Sequence, residues 1–188
     1  MTNMLTSIII PVFNEEKTIK ILLNKVLEQK EIEKEIIVID DCSTDKTKHL
    51  IEMEFKDKIR LISNNKNFGK GYCVRKGIEV SKGEIILIQD ADLEYDPTDY
   101  KKILAPLYEN RADVVYGSRF LGDGEKRVLY FWHRVGNFIL TLLSNCLTNL
   151  NLTDMEVGYK AFKSKSLKDI KLNENRFGIE PEITAKIS

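Results

Sequence analysis

A chain of 188 residues, 43% of them hydrophobic, can bury a sizeable core and is expected to form one domain. Its 29 Lys and Arg balance 29 Asp and Glu, so no basic field argues for nucleic-acid binding. Cys42, Cys73 and Cys146 lie far apart and make no Cys-x-x-Cys pair, which fits free thiols in a reducing compartment and no structural zinc.

The N-terminus leads almost directly into Ser7-Ile-Ile-Ile-Pro11, without the basic, apolar and cleavage segments of a secretory signal, so a cytoplasmic chain is expected. No apolar run approaches the roughly 20 residues of a spanning helix. Short apolar runs predict strands at Ser7–Val12, Glu35–Asp40, Ile59–Ser63, Ile85–Gln89 and Asp113–Gly117. Between them, helical spacing predicts helices at Glu16–Gln29, Asp45–Met53, Lys70–Val80 and Thr98–Tyr108, the last kinked or shortened by Pro106. This order predicts a mainly parallel α/β sheet with helices on both faces and no domain boundary within 1–188.

After Gly117 the alternation stops. Gly122 to Arg127 reads as a polar loop, and Val128–Thr148 as a helix with apolar positions 128, 131, 132, 135, 138, 139, 142, 143 and 146 on one stripe. The last stretch, Glu180–Ser188, opens like a helix with proline in its first turn and carries no stop signal, so the chain is expected to end within an element.

The strand ends carry the polar residues. Pro11-Val-Phe-Asn-Glu15 is expected to stop the first ladder at Pro11; Phe13 could stack on a base and Glu15 accept from a ribose or base, or the stretch is a plain strand end with Asn14 as helix cap. Asp40-Asp41 suits a nucleobase or ribose edge, with Ser43 to Asp45 capping the next helix. Asn67-Phe-Gly-Lys-Gly71 offers backbone N–H groups to an anion, with Lys70 near a diphosphate, but lacks Walker A spacing; a simple helix start is the competing reading.

The densest cluster follows the buried run Ile85–Ile88: Asp90, Asp92, Glu94 and Asp96. An EF-hand loop fails at Tyr95, where glycine is needed, and at Lys101, where glutamate is needed. A solvated acidic turn is the ordinary alternative. The buried strand before it, Asp96-Pro97 after it and the other polar strand ends favour a site in which Mg2+ or Mn2+ bridges a diphosphate to Asp92, with Asp90 and Glu94 assisting and Asp96 capping the next helix. Arg119 suits a phosphate oxygen pair or an ion pair with these acids. Thr153 to Lys160 reads as a turn and an edge strand.

Taken together, Ser7–Glu16, Ile36–Asp45, Asn67–Gly71, Gln89–Pro97 and Gly117–Phe120 resemble the family 2 glycosyltransferases, most nearly the polyprenyl-phosphate branch similar to dolichol-phosphate mannosyltransferase. The resemblance runs from Ser7 to about Ala185 and implies a GT-A type nucleotide-sugar-binding fold and an inverting transfer from a UDP- or GDP-sugar. It implies that Pro11, Phe13, Glu15, Asp40, Asp90 and Ala91 hold the nucleotide, and that Asp92 and Glu94, with Asp90 beside them, hold Mg2+ or Mn2+. Arg119, accompanied by Arg134, would bind the phosphate of a polyprenyl phosphate acceptor, and Asp154 becomes a candidate catalytic carboxylate.

The same resemblance points the 128–148 stripe toward the lipid and a peripheral contact with the cytosolic membrane face, where periodicity alone reads it as core. Relatives usually continue past this chain's last helix. A saccharide or other soluble acceptor, or a nucleotide-binding remnant without activity, are the alternatives. A lipid phosphate monoester has a second pKa of about 6 and is already nucleophilic near neutrality, so Asp154 is expected to position as much as to deprotonate.

Overall fold

The computed structural model describes residues 4–118 and 131–188. Strands β1 (Thr6–Val12), β2 (Lys34–Asp40), β3 (Arg60–Ser63) and β4 (Ile85–Ile88) alternate with helices α1 (Ile19–Glu28), α2 (Thr47–Glu54) and α3 (Lys70–Val80). A 3-10 turn at Pro97–Asp99 leads into α4 (Tyr100–Tyr108), followed by β5 (Val114–Tyr116), α5 (Phe131–Thr148), β6 (Lys160–Lys163), α6 (Ser164–Lys168) and α7 (Ile179–Ile187).

The alternation of side chains along each strand buries both faces. In β1, Ile8, Ile10 and Val12 pack under Leu22, Leu23 and Val26 of α1 and Leu104 and Leu107 of α4. Ile9 points the other way, against Val74 and Ile78 of α3 and Ile179 and Ile183 of α7. Each such side chain, fully withdrawn from water, contributes about 1.5–3 kcal/mol. A Cβ on Gly77 would press into the Ile9 side chain, so α3 lies closer to the sheet than any other residue there permits.

The strand order is β3-β2-β1-β4-β6-β5. β1 to β4 pair in parallel, and β6 runs antiparallel between β4 and β5. The expected edge strand after residue 158 is therefore an interior one, carrying the fully buried Ala161 and Phe162. Pro11 does not end its ladder, since β1 continues to Val12 with Pro11 opposite Ile39. Pro106 lies inside α4 without ending it, because it stands near the C-terminus and forfeits a single helix hydrogen bond.

The ordinary-core reading of the 128–148 stripe does not hold for the described residues. Phe131, Trp132, Phe138, Ile139, Leu142 and Leu143 are half or more exposed. The buried residue of α5 is Thr141. Asn137 reaches Asp154, Thr141 Oγ1 accepts from Met155 N at 3.1 Å, and Asn145 brackets Leu152 through both its amide atoms. At a spacing of four residues these polar groups form the inward face, so α5 is amphipathic with its apolar side outward. None of the described helices is long and apolar enough to cross a membrane.

Candidate functional site

From β1 the chain proceeds to β2 and β3 on one side, and β4 lies on the other, so the crevice above the carboxyl ends of β1 and β4 is a topological switch point. A cleft of about 560 Å³ opens there. Pro11, Phe13 and Glu15 line it from the β1 exit, and Asp90, Ala91, Asp92 and Glu94 from the β4 exit. These seven residues were expected at the site from sequence.

The β1 exit is braced by the β2 exit. Asn14 adopts a left-handed backbone, φ 57°, and its Oδ1 accepts from Thr44 N at 2.8 Å, so it ties two loops together rather than capping α1. Glu15 N donates to Thr47 Oγ1 at 2.7 Å, while Thr18 Oγ1 donates to the Glu15 carboxylate at 2.5 Å. Phe13 keeps 45% of its surface exposed, ready to cover a planar group.

Asp40, expected to face the nucleotide, is buried behind this wall and accepts from Ser43 N at 3.2 Å. Asp41 lines the cleft in its place. The Asp41 carboxylate accepts from Asn64 Nδ2, Phe68 N and Gly69 N at 2.8, 3.0 and 2.7 Å. Tyr72 N, one helical turn on, donates to Asn175 O at 3.0 Å. Three of the amides that a phosphate loop would present, those of Phe68, Gly69 and Tyr72, are thus already used, which favours the helix-start reading of Asn67–Gly71.

Lys70 also has partners. Its ammonium lies 2.7 Å from Asp90 Oδ1 and 2.8 Å from Glu180 Oε1 of α7. Burial alone would lower its pKa, but these two carboxylates outweigh it and hold the pKa above the ordinary lysine value. Lys70 therefore fixes Asp90 instead of waiting for a diphosphate. Asp90 is pressed from the other side by Gly158, where a Cβ would collide with its carboxylate.

Asp92 is differently placed. It is exposed, and its Oδ1 accepts from Glu94 N at 3.0 Å. Leu93 between them has φ 64°, a costly value for a leucine, and the sharp turn keeps both neighbouring acids on the cleft wall. Among the described residues no three His, Cys, Asp or Glu side chains form a ready metal cage. Mg2+ needs none: it is commonly held by one or two carboxylates, substrate phosphates and water. Hard oxygen donors at Asp92 and Glu94 fit that pattern, whereas Asp90 is already paired with Lys70. Asp96 behaves as expected of a cap, its Oδ1 accepting from Thr98 N at 3.0 Å.

Asp154 is 1% exposed and accepts from Asn137 Nδ2 of α5 at 3.1 Å; two residues on, Glu156 lines the cleft. Arg134 is exposed on α5, and Arg119 lies outside the described residues. Glu156, Gly158, Arg176 and Glu180 also line the cleft and were not assigned from sequence; they come from segments far along the chain and are brought in by β6 and α7. Asp41 reads from sequence only as the neighbour of Asp40.

The family described as glycosyl transferase family 2 matches residues 7–171. Glycosyltransferase AglJ of Haloferax volcanii is 32% identical over 180 residues, covering 95% of this chain and 57% of that protein. The UDP-N-acetylglucosamine–dolichyl-phosphate N-acetylglucosaminyltransferase of Methanococcus voltae is 29% identical over 185 residues, covering 89% and 73%. Among solved structures, Mycobacterium tuberculosis glucosyl-3-phosphoglycerate synthase with Mn2+, UDP-glucose and phosphoglyceric acid superposes with a TM-score of 0.74 at 19% identity, over 97% of this chain and 64% of that one. At that identity the likeness is one of fold, and it is the GT-A type fold expected from the strand and helix order.

Proposed function

Because the chain belongs to glycosyl transferase family 2, we propose that it forms the catalytic domain of a metal-dependent enzyme that moves a sugar, with inversion, from a UDP- or GDP-linked donor to a polyprenyl phosphate at the cytosolic membrane face. The observation that carries the donor half is the convergence of Phe13, Glu15, Asp90, Ala91 and Asp92 on one cleft at the β1/β4 switch point. Phe13 covers the base and Glu15 accepts from the nucleoside. Lys70 and Gly158 hold Asp90 in one orientation, so its carboxylate is set before the donor arrives. Asp92 and Glu94 hold the cation, whose contribution when bound is to neutralise charge on the departing diphosphate.

For the acceptor, the supporting feature is α5. Its outward apolar face includes Phe131, Trp132 and Phe138, it contains no Asp or Glu, and its inward Asn137 touches Asp154. Such a helix suits the headgroup layer of a lipid surface, with Asp154 held just beneath it. The acceptor named for the Methanococcus voltae relative, a dolichyl phosphate, is of the same class. A phosphate monoester dianion attacks the sugar without losing a proton, so Asp154 orients the acceptor or sugar. Arg119 and Arg134 are the candidate ligands of the acceptor phosphate.

A second reading is a soluble acceptor. The solved relatives with a bound acceptor or glycosylated product hold phosphoglyceric acid or glucosyl-3-phosphoglycerate, and on those complexes alone a soluble acceptor is the better supported. Transfer of radiolabelled sugar from UDP- and GDP-sugars with Mn2+, measured with polyprenyl phosphate in vesicles and with soluble phosphorylated acceptors, decides between them. Product in the organic phase alone supports the lipid; water-soluble product alone replaces the first reading with the second. Full turnover in EDTA, or in Asp92→Ala, overturns the metal-dependent mechanism, and wild-type turnover in Asp154→Asn removes the role given to that carboxylate.

A further inference from the structure

A donor diphosphate entering the cleft meets seven carboxylates and, among the described lining residues, two cations, Lys70 and Arg176. Lys70 is matched by Asp90 and Glu180, and the Phe68, Gly69 and Tyr72 amides around the start of α3 are occupied by Asp41 and Asn175 O. A dication at Asp92 and Glu94 offsets part of the negative potential; the phosphate oxygens still need a donor that is not already committed. Among the described residues the Arg176 side chain makes no ion pair or hydrogen bond, and it is exposed on the cleft wall.

The main chain around Arg176 is held firmly. Gly69 and Gly71 lie so close to it that a Cβ on either would come within 2.5 Å of a carbonyl oxygen, of Asn175 and Glu174 respectively. Asn175 O accepts from Tyr72 N, and Arg75 Nη2 donates to Asn175 Oδ1 at 2.5 Å. The Glu182 carboxylate of α7 accepts from Asn173 N and Glu174 N at 2.8 Å each. The turn before α7 is therefore fixed to α3 and α7 by its backbone while its arginine stays uncommitted. The glycines of Asn67–Gly71, which read as a phosphate loop, instead allow this second segment to approach.

We propose that Arg176 is a ligand of the donor diphosphate, its guanidinium fork taking the anion that Lys70 cannot. This rests on the nucleotide-sugar reading above and adds to it a residue from the far end of the chain. A planar fork suits paired phosphate oxygens, and each charge-assisted hydrogen bond lost there weakens binding by about 10- to 100-fold.

The test is calorimetric titration of the full chain with Mn2+ and UDP or GDP, the matching monophosphate and the nucleoside. Arg176→Ala is expected to weaken the diphosphate by about 10- to 100-fold, the monophosphate less, and the nucleoside not measurably. Arg176→Lys should recover part of the loss, and neither change should move the thermal midpoint, because the side chain is exposed. Diphosphate affinity unchanged in Arg176→Ala, while the wild type binds it, overturns the inference and leaves the donor reading intact. Equal losses for diphosphate and nucleoside also overturn it. If the wild type binds neither nucleotide, the donor reading falls and the inference with it.

Discussion

Replacing Gly158 with alanine tests the central geometry of the cleft. The added Cβ would overlap an Asp90 carboxylate oxygen, lie 2.8 Å from its Cγ and meet Tyr95 Cε2 at 3.3 Å. Gly158 cannot retreat freely, because its N–H donates to Tyr95 Oη at 3.1 Å and β6 begins two residues later. Asp90 must therefore turn away from Lys70. Overpacking of this kind costs about 1–3 kcal/mol. Stranding a buried charge altogether costs about 3–5 kcal/mol, but Lys70 keeps Glu180 at 2.8 Å, so a loss of about 2 kcal/mol is expected.

For a chain of this size that lowers the thermal midpoint by about 4–8 °C, and urea denaturation should show the same loss at unchanged slope. The cause is isolated by repeating Gly158→Ala in an Asp90→Ala background. With the carboxylate gone, most of the cost should vanish, giving a coupling of about 1–2 kcal/mol. Additive effects of the two changes, or an unchanged midpoint in the single variant, refute the steric argument.

Three further outcomes follow from the same contacts. Lys70→Met leaves Asp90 and Glu180 without their shared cation and should cost about 3–5 kcal/mol by urea denaturation; a variant as stable as wild type would show that the pair is solvated. Asp96→Ala removes the cap on Thr98 N and the 2.5 Å partner of Lys25, for about 1 kcal/mol at pH 7. Although burial opposes it, the bonds from Lys25 and Thr98 lower the Asp96 pKa, so its contribution is present above the ordinary Asp value and is lost as pH falls through the folded one. The gap between wild type and Asp96→Ala should accordingly close in acid; a gap that widens there reverses the assignment. Iodoacetamide at pH 8 should label exposed Cys146 and spare Cys73 until unfolding, since burial and then Asp41 push that thiol up to about 12. Mass spectrometry of the native protein reads this directly, and early labelling of Cys73 would contradict the packing of α3 on β2.

Much of the site could be read from local sequence because a buried parallel strand needs a continuous apolar run and must end where that run ends. Ile85–Ile88 announces both the strand and the place where Asp90 and Asp92 emerge, and Ser7–Val12 does the same for Phe13 and Glu15. The order of these elements also determines a mainly parallel sheet, since each strand is separated from the next by a helix that returns the chain to the same edge.

Tertiary structure decided what each polar residue faces. Asp40 and Asp41 are equivalent as letters, yet the strand alternation sends one inward and the other to the cleft. Lys70 reads as a phosphate ligand until Glu180, 110 positions away, arrives beside it. The stripe on α5 has the period of a core helix, and periodicity records only that two faces differ. Which face meets the protein was set by Asn137, Thr141 and Asn145, whose hydrogen bonds to the segment around Asp154 keep the polar side inward and leave the apolar side exposed. Those partners lie in the segment that folds back directly after α5, and burial and pairing are properties of the assembled fold.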